Sequence, residues 1–320
     1  TVNQLAFMYN EFCHALDMKK DVRVVYCDVS KAFDKVWYQG VIFKLRQNGI
    51  DGPLLHWFEN YLEERMQRVV VKGQASEWGQ LQAGVPQGSV IGPLLFTVYI
   101  NDIADVVNCS IKMFADDTCL YITVDDQEDS AAALNVNLEN VQTWANQWLV
   151  TFNAKKTKAM TISNKNVNHP DILFNGEVLE NVKSHKHLGL TITHNLSWSD
   201  HIDGVLSSAS KMLDATRKLQ YQLDRATLET IYFSFIRPKL DYGCQIWDDC
   251  TDREKEKLEK FQLTAARIVT GAKKGSSHQL LYEETQWQKL SDRRMSIKLN
   301  YMHRIVNNTA PKYLCELLPN

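Results

Sequence analysis

The chain of 320 residues contains no run of about 18 apolar residues, so no segment reads as a membrane-spanning helix. Its seven cysteines (Cys13, Cys27, Cys109, Cys119, Cys244, Cys250 and Cys315) include no CxxC spacing. That argues against a disulfide framework and for a reducing compartment. Cys27, Cys109 and Cys119 lie in or beside apolar runs and read as buried thiols. There is no internal repeat and no low-complexity segment. The opening, TVNQLAFMYNEF, has no signal-peptide pattern. It enters an amphipathic helix pattern at once (Val2, Leu5, Met8, Tyr9, Phe12, Leu16), and the expectation is that further sequence precedes it. Net charge is nearly absent too, at −2, and as a total it excludes nothing.

What is present is enough apolar content, 44%, for a sizeable core in two subdomains or more. Charge is unevenly placed. Residues 21–130 carry 16 acids against 9 bases, whereas residues 261–320 carry 9 bases against 4 acids. An acidic middle before a basic end fits metal binding in one place and polyanion binding in another, and a surface polarised without function fits it as well.

Local patterns predict an α+β region followed by helices, with a boundary near 195. VRVVYCDVS reads as a buried strand ending in Asp28. Helical patterns occupy about 36–48 and 53–63, and MQRVVVKGQASEWGQLQ reads as two strands around a turn at Gly73 to Ser76. GVPQGSVIGPLLFTVYINDI passes from a turn into an apolar helix that Ser89 is placed to cap, with Pro93 tolerated only near its first turn. IKMFADDTCLYIT predicts strand, tight turn and strand, and 130–149 a helix with Leu134, Leu138, Val141, Ala145 and Trp148 on one face. Short strands continue to about 193, with helices beyond 199. Thr251 and Glu254 form a candidate capping box, and Gly271 is placed to end that helix.

The chemistry-bearing feature is FADD. Adjacent carboxylates repel, and as an isolated pair Asp116 and Asp117 read as turn residues. Asp28 changes the weighing, because it too follows an apolar strand. If the strands are neighbours, three carboxylates reach one sheet edge, where one pKa rises unless a cation is bound. Hard oxygen donors select Mg²⁺ or Mn²⁺ over Zn²⁺, and Mg²⁺ held by one or two carboxylates keeps positions for substrate phosphates. Paired ions suit phosphoryl or nucleotidyl transfer.

Five stretches then occur in order: YCDVSKAF (26–33), GVPQGSVIGPLLF (84–96), FADD (114–117), NAKKTKAM (153–160) and HLGLTI (187–192). Together they resemble palm motifs A to E of reverse transcriptases, in particular those of non-LTR (LINE-type, jockey-like) retrotransposons. The tail, with RPKLDYGCQIW (237–247), is similar to the thumb and following region of those elements. The resemblance implies a polymerase palm (an antiparallel sheet packed on helices) with a partial fingers region over 1–195, and a mostly helical thumb over 196–320. It implies an RNA-directed DNA polymerase that adds dNTPs to a DNA primer 3′-hydroxyl on an RNA template, using two Mg²⁺ ions (Mn²⁺ as a substitute). An intracellular setting follows, in the nucleus or a cytoplasmic ribonucleoprotein.

Carried over residue by residue, Asp28, Asp116 and Asp117 would be the catalytic carboxylates, with the Val29 carbonyl as a further metal ligand. Phe33 would be the steric gate that leaves no room for a ribose 2′-hydroxyl. Amides near Lys31 and Ala32 would face the triphosphate. Gln87 would contact nucleotide or template, and Gly88 would allow close approach. Lys156 would be the motif D lysine beside leaving pyrophosphate, with Lys155 as its rival. His187, Leu188 and Gly189 would form the primer grip. Trp287, Arg293 and Arg294 are further candidates for template or primer contact, with core packing the simpler expectation for Trp287. TVNQL resembles the segment just after a family fingers motif, so the fingers motifs and endonuclease of the same polyprotein are expected upstream. Two alternatives stay open: a palm-type RNA-dependent RNA polymerase, which Phe33 argues against, and a weak or inactive relic serving as a nucleic-acid-binding scaffold.

Overall fold

The structure, a computed structural model, describes residues 1–165 and 169–318. Its contacts divide the chain into two units, residues 18–183 and residues 1–17 with 184–320. The expected boundary near 195 compares with an observed division at Lys183 and Ser184, because the HLGLTI segment and the first helix, α1 (Val2–Asp17), pack with the helical unit.

The first unit is built on β1 (Asp21–Cys27), whose seven residues are all buried. A β-branched run without polar alternation is what a strand covered on both faces requires. Then come α2 (Tyr38–Gln47) and α3 (Gly52–Leu62), the latter entered through Asp51, whose carboxylate accepts from the Gly52 amide. The stretch expected as two strands is a nested pair of short ladders, all exposed. In it β2 (Met66–Gln67) pairs with β5 (Gly79–Gln80), and β3 (Val70–Val71) with β4 (Gln74–Ala75). The turn falls at Lys72 and Gly73, both with positive φ, rather than over 73–76, because a two-residue hairpin needs left-handed backbone at its tip.

Beyond that lie α4 (Ile91–Ile100), β6 (Ser110–Phe114), β7 (Asp117–Val124), α5 (Gln127–Gln147), β8 (Lys158–Ile162), the short β9 (Leu173–Phe174) and β10 (Glu177–Val178), and β11 (Glu180–Asn181). Ser89 caps as expected, its Oγ accepting from the Gly92 amide at 2.9 Å, and Pro93 lies in the first turn. Five strands form one sheet in the order β11-β8-β1-β7-β6, with β1 antiparallel to both neighbours. Val25, Cys27 and Leu120 of the sheet share one core with Leu95, Phe96 and Tyr99 of α4 and Leu134, Leu138 and Val141 of α5. Each such side chain contributes about 1.5–3 kcal/mol by its burial. Cys27 and Cys119 are buried as expected; Cys109 is only half-buried, since it sits just before the edge strand β6.

The second unit is mainly helical. The hairpin of β12 (Ser184–His187) and β13 (Leu190–Thr193) precedes α6 (Ser199–Leu219), α7 (Arg225–Ile231), α8 (Arg237–Asp241), α9 (Cys244–Trp247), α10 (Asp252–Thr270), α11 (His278–Thr285), α12 (Leu290–Val306) and α13 (Lys312–Cys315). The capping box on α10 is complete, with Thr251 and Glu254 each satisfying the other's backbone amide, and Gly271 ends the helix with φ +71°. Trp287 is core, stacked on Tyr232 with centroids 4.0 Å apart. Arg293 and Arg294 pair with Asp241 at 2.7 Å and Asp248 at 2.6 Å. No helix among the described residues is long and apolar enough to cross a membrane.

Candidate active site

The site follows from strand register. Cys27 faces Thr118 across the β1–β7 ladder, so one step further out Asp28 comes level with Asp117. Across β7, Phe114 pairs with Asp117, which leaves Ala115 and Asp116 as a two-residue turn. Ala115 takes φ +52°, the left-handed first position that such tight hairpins demand. The partner strand differs from the simple expectation. The apolar pattern puts both acids after a strand's C-terminal end, but Asp117 opens β7, and β7 rather than β6 lies beside β1. An antiparallel pair can bring carboxylates together only in this way, by setting the end of one strand against the start of the next.

The other side of Asp28 is held by the segment before β8. The Asp28 amide donates to Thr157 Oγ1 at 3.3 Å, and the Asp28 carbonyl accepts from the Asn153 amide at 2.8 Å. A bridge joins Val29 to Phe152, with the Ser30 amide donating to the Thr151 carbonyl at 2.8 Å. These bonds use the Thr151 and Asp28 carbonyls and not that of Val29. Lys156 lies in the turn between this bridge and β8, its amide donating to the Asn153 carbonyl, and its Nζ lies 4.0 Å from Asp28 Oδ2. Lys155 offers its carbonyl to Lys158 Nζ at 2.9 Å.

Electrostatics register the crowding. The Asp117 carboxyl is raised above the usual carboxylate range, first by desolvation and then by the negative charges of Asp116 and Asp28. A cation among these oxygens would reverse that penalty, and an all-oxygen donor set suits a hard divalent ion. Among the described residues no group of three His, Cys, Asp or Glu side chains closes around a common point.

The substrate-facing candidates cluster on the loop after β1. Lys31 takes φ +51°, and its carbonyl accepts from the amides of Asp34 and Lys35. The amides of Lys31 and Ala32 donate to no acceptor among the described residues. The Phe33 ring packs on Phe96 with centroids 4.8 Å apart. The PQG turn is bolted to the same loop: Val85 N–H to Phe33 O and Gly84 N–H to Val36 O, each 2.8 Å, and Gln87 Nε2 to Asp34 Oδ1 at 2.7 Å. Gly88 takes φ +84° with open space on its Cβ side.

The HLGL hairpin belongs to the other unit. Its tip is Leu188 (φ +46°) and Gly189 (φ +88°). Tyr242 clamps it, its hydroxyl donating to the Leu188 carbonyl at 2.7 Å while its ring lies where a Gly189 Cβ would be. His187 is buried, and desolvation pushes its imidazole down to about 4. Sequence reasoning missed Thr157, Asn153, Asp34 and Tyr242. Only Thr157 and Asn153 carried a local signal, being polar residues that flank the KK pair.

The family described as "Reverse transcriptase (RNA-dependent DNA polymerase)" matches residues 1–192. An RNA-directed DNA polymerase from the mobile element jockey of Drosophila melanogaster is 28% identical over 330 residues, covering 99% of this chain and 36% of its own. A probable RNA-directed DNA polymerase from transposon X-element of the same species is 29% identical over 290 residues, 85% of this chain and 31% of its own. The chain thus spans about a third of the length of these relatives. Among solved structures, a telomerase from Candida albicans with a TWJ fragment of telomeric RNA aligns at TM-score 0.48 and 10% identity, over 90% of this chain and 54% of that one.

Proposed function

Because the chain belongs to the reverse transcriptase family, we propose that the sheet edge at Asp28, Asp116 and Asp117 is a nucleotidyl-transfer centre, which adds dNTPs to a DNA primer on an RNA template. The observation that carries this reading is the register that sets Asp28 level with Asp117, with Lys156 on the other flank. Residues 1–195 then serve as partial fingers and palm, and residues 196–320 as thumb. The family match favours DNA synthesis over the RNA-polymerising alternative.

Reverse transcriptases generally use divalent metals. Here Asp28, Asp116 and Asp117, with the Val29 carbonyl, would hold two Mg²⁺ or Mn²⁺ ions, which supply charge neutralisation and Lewis acidity to the reacting phosphate. The chain's own residues do the rest. The Thr157 and Asn153 bonds fix the Asp28 backbone, so its carboxylate is aimed before substrate arrives. The open Lys31 and Ala32 amides donate to triphosphate oxygens. Phe33, backed by Phe96, closes the space beneath the sugar. Lys156 neutralises or protonates the departing pyrophosphate as the primer 3′-hydroxyl takes the α-phosphate. The Leu188–Gly189 tip, stiffened by Tyr242, holds the primer strand. Fingers and endonuclease segments of the same polyprotein are proposed as its partners in a ribonucleoprotein.

The test is templated incorporation: the purified chain, a primed RNA and single dNTPs with Mg²⁺. Incorporation of only the dNTP complementary to the template, stopped by chelation, supports the reading. Binding of the primed RNA without incorporation favours the scaffold alternative.

A further inference from the structure

The contact between Asp34 and Gln87 goes beyond the family motifs. Asp34 follows Phe33, and its Oδ1 accepts from Gln87 Nε2 at 2.7 Å. An ionised carboxylate only accepts, so the end of the Gln87 amide that faces it is the NH₂ group. Its Oε1 therefore points away from Asp34. Among the described residues Asp34 makes no ion pair, although Lys31 and Lys35 are close in sequence, and Gln87 is its side-chain partner.

The surrounding backbone is shaped to keep this pair together. Gly84 takes φ +92°, and a Cβ there would lie 2.7 Å from the Asp34 carbonyl oxygen. The Gly84 and Val85 amides donate to Val36 and Phe33. The turn that carries Gln87 is therefore bonded to the residues on both sides of Asp34. Ser89, hydrogen-bonded to the Pro86 carbonyl and the Gly92 amide, fixes the far side of the turn. Both side chains are exposed, so a stabilising role in the core does not explain the contact.

We propose that Asp34 is a positioning residue that sets the polarity of the Gln87 amide, so that Gln87 presents an acceptor oxygen to the substrate. This rests on the reading above that Gln87 contacts nucleotide or template. It adds the chemistry of that contact: the group met by Gln87 is a donor, which on a nucleotide means a sugar hydroxyl or a base N–H.

A swap of the two functional groups tests it through KM and kcat for dNTP incorporation on a primed RNA. Gln87→Glu sets two carboxylates against each other, and KM rises about tenfold with a smaller change in kcat. Asp34→Asn keeps the shape but frees the amide to flip, and KM rises about threefold. In the double variant Asp34→Asn with Gln87→Glu, the new amide at 34 donates to the new carboxylate at 87, whose other oxygen is again an acceptor. KM returns to within about threefold of the unaltered chain. A double variant no better than Gln87→Glu alone overturns the inference while leaving the polymerase reading intact. An unchanged KM in Gln87→Ala shows that Gln87 meets no substrate, and an unaltered chain that incorporates no dNTP removes the polymerase premise; either result takes the inference with it.

Discussion

The Lys156 ammonium lies 4.0 Å from the Asp28 carboxylate because a turn that starts at Asn153, whose amide donates to the Asp28 carbonyl, carries the lysine back beside Asp28 before β8 begins. Both side chains are well exposed, 70% and 39%, so the pair adds little to stability. Its importance is placement: a cation on a rigid flank of the carboxylate edge. Lys156→Ala should therefore leave the unfolding midpoint nearly unchanged and lower the incorporation rate about a hundredfold. Lys155→Ala, by contrast, should cost less than about threefold, because that residue's structural contact is made by its backbone carbonyl. Single-turnover kinetics of the two variants separate them, and equal losses would remove the special role of Lys156.

Asp117 gives a pH prediction. Its folded pKa is raised, so the folded chain holds this proton to a higher pH than the unfolded chain does. Between the ordinary aspartate pKa and the raised one, stability falls as pH rises, and the full cost is present above the raised value. Asp117→Asn should thus raise the melting temperature at neutral pH and flatten this slope, while abolishing incorporation. Added Mg²⁺ should lower the Asp117 pKa when it is followed by NMR. A melting temperature that falls on Asp117→Asn would contradict the crowding account.

Phe33 packs on Phe96 and is only partly buried, which leaves ring surface for a sugar. Phe33→Ala should raise the use of rNTP relative to dNTP by at least about tenfold, with most of the change in KM for rNTP. An unchanged ratio in a folded variant counts against the gate and reopens the RNA-polymerising alternative.

Gly84 is tightly enclosed, with the Asp34 carbonyl oxygen 2.7 Å from its missing Cβ. Gly84→Ala should cost about 2–4 kcal/mol in chemical denaturation. Gly88, with similar φ and open space around it, should cost about 1 kcal/mol as Gly88→Ala. Equal costs would show that strain in φ matters here and the Asp34 contact does not.

The parts of the fold that a local pattern dictates were legible. The unbroken VRVVYC run predicts a doubly covered strand, and the Thr251–Glu254 spacing predicts a cap that is present. Asp28, Asp116 and Asp117 were legible as acids at strand ends. Which strand neighbours which was not, because register is settled by pairing between distant segments. That is why Asp117 begins β7 instead of following a strand, and why Thr157, 129 residues away, receives the Asp28 amide. Tyr242 at the Gly189 tip and Asp34 under Gln87 were invisible for the same reason. The ion pairs of Arg293 and Arg294, candidates for template or primer contact, were not legible either, since nothing nearby in the sequence indicates that Asp241 and Asp248 lie beside them.

The account stands most directly on one comparison: Mg²⁺-dependent dNTP incorporation on a primed RNA by the unaltered chain and by its Asp116→Asn variant, in a background where both bind the primed RNA equally. The account predicts templated incorporation by the first and a loss of at least about a thousandfold in the second, since a carboxylate proposed to hold metal is removed. Equal rates from the two chains would contradict it.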